Sequence, residues 1–196
     1  HRRYRIKGKK VTHFLSPSPY YTEKISTAFD VDPAKDGLFV NCGYPRNDAL
    51  FAASEEETAS FKKSLGIPEG AKVILYTPTW RDNEYQSGHG FQYESPVNLG
   101  KLMDLLPENY VLLFRAHHQV GTSEVIQETD RIFDVTEVDD LNDLYLISDL
   151  MITDYSSTMF DYSVLKRPMV FHMYDLERYE REIRGFYFDL EELPGP

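Results

Sequence analysis

"LMITDYSSTMFDYSVLKRPMVF", residues 150–171, is the stretch whose reading decides the fold. An apolar run breaks off at an acid and two serines, a short amphipathic segment follows at once, and a second apolar run begins after Arg167 and Pro168. The outer pieces have the length of strands and the middle has helical spacing, so the stretch reads as strand, helix, strand. Strands joined through a helix run parallel. The turn at the end of the first strand is therefore a place where polar groups gather.

Working outward, the same alternation starts near residue 72. The apolar runs "KVILYTPTW", "YVLLFRAHH", "RIFDVT", "DLMITDYSS" and "RPMVFHMY" are separated by helix candidates at about 98–106, 121–128, 140–147 and 157–166. Near-continuous apolarity, rather than strict alternation, is what strands covered on both faces show. The pattern predicts an α/β domain with a Rossmann-like, doubly wound parallel sheet. Upstream, "VTHFLS" and "GLFVNCG" read as two shorter strands, and helices are expected near 20–29 and 54–65, the latter opened by a capping box of Ser54 and Glu57.

Composition narrows the functional classes. The 196 residues are 41% hydrophobic, enough for a full core, and no stretch approaches the roughly 18–20 apolar residues of a membrane span. The lone cysteine, Cys42, excludes an internal disulfide and is expected as a buried structural thiol. Six of the 21 basic residues fall in the first ten, "HRRYRIKGKK", leaving 15 against 32 acidic residues, a formal balance of −17. Nucleic acid is a poor partner for such a body. Residues 1–12 read as a basic leader or interdomain linker and 13–196 as the folded domain. The absence of an initiating Met and the Pro/Gly-rich "LEELPGP" ending suggest a domain cut from a longer protein.

In an open parallel sheet ligands bind beyond the carboxyl ends of the strands. Those ends carry Thr79 and Arg81, then Arg115, His117 and His118, then Asp154, Ser156, Ser157 and Thr158, while "GYPRND" places Arg46, Asn47 and Asp48 after another strand. Hydroxyls and unpaired backbone N–H groups at the start of a helix suit a phosphate; an ordinary serine N-cap, with Asp154 satisfying the loop, accounts for the same residues. Arg81, Arg115 and His117 on one rim favour the anion site, with His117 as hydrogen-bond or proton donor to a departing phosphate. No GxxxxGKS or GxxxxGKT loop, GxGxxG turn, GxSxG elbow or HExxH pattern is present, so no metal site is expected.

Six blocks in order, "SPSPYYTEKISTAF", "GYPRNDAL", "ILYTPTWRDN", "LLFRAHH", "NDLYLISDLMITDYSSTMFDYSVLKRPMVF" and "YEREIRGFYFDLEELPGP", resemble the CDP-glycerol glycerophosphotransferases, the teichoic acid polymerases and primases. The resemblance implies the C-terminal, nucleotide-binding half of a GT-B-type transferase, truncated at its end, with a missing N-terminal GT-B domain as partner. It implies transfer of glycerol phosphate from CDP-glycerol to a lipid-linked polyol-phosphate acceptor with release of CMP, at the inner face of the cell membrane in the cytoplasm. By that resemblance Arg115 and His117 fall on the RxH pattern and Asp154 to Ser157 on the DYSS block. Asp161 matches an acid near the ribose, with helix packing an equal reading, and Arg184 matches a block that closes the donor pocket. The histidine of an HGTP-like motif, the candidate general base, has no match here, so this piece is expected to bind donor and to catalyse poorly or not at all. No cofactor is expected in the domain, and Mg²⁺ would arrive with the substrate. A CDP-ribitol-dependent transferase, a GT-B sugar transferase using another nucleotide, and a non-catalytic regulatory domain are the competing readings.

Overall fold

The computed structural model describes residues 2–79, 85–86, 90–91, 96–116, 126–183, 185–186 and 188–192. Its contacts divide the chain into two units, His1–Ala52 and Ala53–Pro196.

In the first unit, helix α1 (Arg2–Gly8) precedes strand β1 (Phe14–Ser16), helix α2 (Pro19–Phe29), strand β2 (Phe39–Asn41), a 3-10 turn at Pro45–Asn47 and helix α3 (Ala49–Ala52). Ser18 starts α2 by accepting the Tyr21 amide at 3.2 Å, with Pro19 at its first position, and Asp30 in the left-handed region ends it. β1 and β2 pair in parallel with Phe14 opposite Phe39, and the Phe14 ring stacks on Phe39 and meets Phe29 edge-on, each at 5.2 Å. The basic start, expected as a leader or linker, is thus helical and packed. Tyr4 meets Phe29 at 5.5 Å, and a Cβ on Gly8 would lie 2.6 Å from the Phe29 carbonyl, so only glycine allows this approach. Leu15 and Val40, opposite each other in register, are both exposed. Cys42 is exposed as well, contrary to expectation. It lies just past a strand that belongs to a two-stranded pair and carries no fully buried position, so the strand pattern there does not signal a covered thiol.

The second unit opens with helix α4 (Glu55–Ser64), where the expected capping box is present: Ser54 accepts the Glu57 amide and Glu57 accepts the Ser54 amide. Then follow β3 (Lys72–Thr77), a small antiparallel hairpin β4 (Tyr85–Gln86) and β5 (Gly90–Phe91), α5 (Leu99–Asp104), β6 (Tyr110–Phe114), β7 (Ile132–Asp134), α6 (Leu141–Ile147), β8 (Leu150–Thr153), α7 (Thr158–Ser163), β9 (Met169–Phe171) and α8 (Leu176–Arg178). A π-type turn, Tyr179–Ile183, continues from α8. The helix expected over 121–128 falls largely outside the described residues, and 126–128 are not helical. α7 is shorter than the expected 157–166, because the chain turns through Lys166 at positive φ toward Pro168.

Five of these strands form one parallel sheet in the order β7-β6-β3-β8-β9. In order of appearance that is third, second, first, fourth, fifth, the doubly wound arrangement whose direction reverses between β3 and β8. Every residue of β3 after Lys72 is buried, as is every residue of β6 after Tyr110. Their unbroken apolarity therefore reports cover on both faces. The amino-terminal edge is locked by Asp149, which accepts the Val73 amide at 2.9 Å and the Lys72 ammonium at 3.0 Å. Arginines fasten the connections: Arg131 donates to the carbonyls of Leu106, Pro107 and Tyr110, and Arg167 to those of Tyr145, Leu146 and Ser148 where α6 ends.

Candidate functional site at the sheet reversal

At the reversal the carboxyl ends of β3 and β8 lie side by side, and the polar residues of the quoted stretch stand there. Thr153, fully buried, donates its hydroxyl to the Thr77 carbonyl at 2.8 Å, tying the two strand ends together. One residue on, the Asp154 carboxylate accepts two amides through Oδ1, from its neighbour Tyr155 at 2.7 Å and from Thr79 at 2.8 Å. Asp154 is only 4% exposed. It acts as a clamp across the reversal, holding the turn after β8 to the segment after β3.

The serines that follow divide their roles. The Ser156 oxygen accepts from the Thr158 hydroxyl at 3.0 Å and, at 3.4 Å, from the Thr158 amide, while the Thr158 and Thr77 hydroxyls lie 3.4 Å apart. Ser157 occupies the N-cap position of α7 with helical backbone angles and no side-chain capping bond, and it is exposed. Capping thus falls to Ser156 in part, and Ser157 presents its hydroxyl outward. Asp161, one turn into α7, is buried.

Arg115, at the end of β6, has a use that the sequence did not suggest. Its Nη1 donates to the carbonyls of Val135 and Val138, at 3.2 and 2.5 Å, and the next residue's amide, Ala116, bonds the Thr136 hydroxyl at 3.0 Å. Burial pushes the Arg115 pKa down, opposed by Tyr145, Asp140, Asp139 and Glu137. The guanidinium therefore braces the loop after β7.

The structure brings together Thr79, Asp154, Ser156, Ser157 and Thr158. Arg46, Asn47 and Asp48 belong to the first unit, where Arg46 lies over the Tyr44 ring at 4.0 Å and Asn47 is buried in the 3-10 turn. Arg81, His117 and Arg184 lie outside the described residues. Among the described residues no group of three or more His, Cys, Asp or Glu is disposed to hold a metal ion, and no helix is long and apolar enough to cross a membrane.

Tyr155 was missed by sequence reasoning. It is 9% exposed, its ring stacks on Tyr179 at 3.9 Å and 21°, and its hydroxyl donates to Asp175 at 3.1 Å. The signal was present, an aromatic between the acid and the serines of the turn, but its partners lie about 20 residues further on.

A parallel five-stranded sheet with a clamped, hydroxyl-bearing turn at its reversal defines a Rossmann-like α/β domain of the GT-B type, and the UDP-GlcNAc 2-epimerase of Neisseria meningitidis shares the fold at a TM-score of 0.56 and 15% identity, over 85% of this chain. Residues 2–196 match the family described as CDP-Glycerol:Poly(glycerophosphate) glycerophosphotransferase, and the chain belongs to that family. It is similar to the teichoic acid glycerol-phosphate transferase of Staphylococcus aureus, 41% identical over 98% of this chain and 49% of the relative. A teichoic acid poly(ribitol-phosphate) polymerase of Bacillus spizizenii is 35% identical over 79% of this chain and 25% of the relative. Among solved structures, the wall teichoic acid polymerase TagF aligns over the whole chain with a TM-score of 0.84 and 37% identity. A histidine-substituted form of it soaked with CDPG aligns at 0.85 and 38%. The chain spans about half the length of the S. aureus transferase and 47% of the TagF chain.

Proposed function

We propose that this chain is the donor-binding half of a glycerophosphotransferase, which transfers glycerol phosphate from CDP-glycerol to the hydroxyl of a lipid-linked polyol-phosphate acceptor and releases CMP. The observation that carries the reading is the clamped turn at the β3–β8 reversal, where Ser156, Ser157 and Thr158 follow the Asp154 clamp in a chain of this family. The similarity to a polymerase soaked with CDPG supports the choice of donor, and relatives named for glycerol phosphate at 39–41% identity over 94% or more of this chain support glycerol over ribitol.

In this reading the crest hydroxyls and the amides at the start of α7 donate to the pyrophosphate, and Asp154 holds the crest without touching the donor. Asp161 serves the ribose side. Arg81, Arg115, His117 and Arg184 supply the cations and the proton donor for the leaving CMP phosphate. The acceptor oxygen attacks the glycerol-bearing phosphorus and the bond from that phosphorus to the CMP oxygen breaks. The acceptor's proton passes to a base in the other half of the protein. Charge developing on the departing phosphate is met by Arg and His side chains. Mg²⁺, where used, enters with the substrate. The acceptor's lipid places the intact protein at the inner face of the membrane.

Calorimetric titration of the chain with CDP-glycerol, CDP-ribitol, CMP and UDP-glucose tests the reading. Preferential binding of CDP-glycerol is expected, with loss of affinity when Ser156 and Ser157 are both replaced by Ala. Preference for CDP-ribitol would keep the mechanism and change the polymer. Unchanged affinity in the double variant would return the serines to a capping role.

A further inference from the structure

We infer that Tyr155 is a positioning residue that couples the donor-holding turn to the segment Asp175–Phe186, so that the two are ordered together. The inference rests on the donor reading of the turn given above.

The Tyr155 side chain reaches that segment through the 3.9 Å stack on Tyr179, a tilted contact with Phe186 at 5.6 Å, and the hydroxyl bond to Asp175. Its amide is held at the same time by Asp154, the residue that clamps the turn. Tyr155 is thus fixed at its backbone by the crest and at its ring by a segment 20 or more residues away.

The segment has little regular structure of its own. It consists of a three-residue helix, a π-type turn and a bend at Gly185, whose φ of +64 returns its amide to the Tyr179 carbonyl at 3.1 Å. Its charged pair, Arg178 and Glu182, is exposed and 4.0 Å apart, a geometry that contributes little. Tyr179, 5% exposed, is its buried anchor, and that anchor sits on Tyr155. π-type turns are rare and concentrate where function needs an irregular backbone. A segment whose buried aromatic anchor stacks on Tyr155 follows whatever holds that ring. Donor bound at Ser156 and Ser157 therefore tightens residues 175–183, and loosening that segment weakens the donor site.

The test combines hydrogen exchange with calorimetry on this chain, using CDP-glycerol as the probe. Tyr155→Leu and, separately, Tyr179→Leu are expected to weaken CDP-glycerol about tenfold, the scale of one lost aromatic pair with its burial. Tyr155→Phe, which keeps the stack, should stay within about threefold. A core variant remote from the turn, Leu112→Ala, controls for stability: it should lower the melting temperature without changing donor affinity. If Tyr179→Leu remains folded and binds donor like the parent chain, the coupling is wrong. Ligand-free exchange separates this from failure of the donor reading: Tyr179→Leu must speed exchange of the Met159 and Phe160 amides even in a chain that binds no CDP-glycerol, and unchanged exchange there overturns the inference.

Discussion

Replacing Asp154 by alanine should cost the second unit about 2–4 kcal/mol of stability. The carboxylate accepts the Tyr155 amide, which is buried, and the Thr79 amide, which is partly buried, and alanine leaves both without that acceptor. Each unsatisfied buried N–H costs ~1–3 kcal/mol, with the Thr79 amide at the lower end because solvent reaches it more easily. Asn at the same position keeps a carbonyl oxygen aimed at both amides and gives up only their charge-assisted part, about 1 kcal/mol. The expected order is parent, then Asp154→Asn, then Asp154→Ala. Urea denaturation followed by far-UV circular dichroism measures it, with an unchanged slope showing that the unfolding unit is the same. Donor affinity should fall in the same order, since the crest and the segment after β3 lose their shared anchor. A loss below about 1 kcal/mol for alanine would show that water satisfies both amides, and the clamp would then not be what fixes the crest.

Two further outcomes are expected. Burial alone would raise the Asp149 carboxyl, but the Val73 amide and the Lys72 ammonium outweigh it and hold its pKa below the ordinary value. A depressed carboxyl contributes stability above its unfolded value near 4 and loses it as the pH falls further, so acid titration of the melting temperature should show a steeper decline below about pH 4 in the parent than in Asp149→Asn. Cys42, being exposed, should react with a thiol reagent in the native chain about as fast as in the chain unfolded in urea, and a strongly protected thiol would contradict its placement.

The parallel sheet, the reversal and the turn "TDYSS" were legible because they rest on local pattern: apolar runs of strand length, helix candidates between them and an abrupt polar end. What the sequence hid was where long-range polar bonds go. Asp154 read as a donor-turn residue or as an acid satisfying its loop, and its second partner, the Thr79 amide, lies 75 residues away. Arg115, expected as a donor contact, also shares with Arg131 and Arg167 the task of gathering carbonyls at loops and a helix end. An arginine beside a strand end carries the same sequence signature whether it braces a loop or meets an anion, and the bracing bonds show only in the folded loop. The basic start was read from its charge, which gives no hint that Gly8 and Tyr4 pack on Phe29. Cys42 misled for a related reason: "GLFVNCG" has the apolarity of a covered strand, but β2 pairs only with β1 and its positions stay partly or fully exposed.

The bond from Thr153 to Thr77 spans 76 residues, and it has a consequence for how the chain comes to be folded during synthesis. β6 arrives early and covers one edge of β3, whereas β8 leaves the ribosome roughly 4–15 s after β3 at ~5–20 residues per second. Through that interval the other edge of the sheet's central strand stands open, with its apolar residues and unpaired amides available to a neighbouring nascent chain. The joined strand ends are therefore among the last features of the second unit to form, and substitutions that slow the docking of β8 should lower soluble yield before they alter the finished fold.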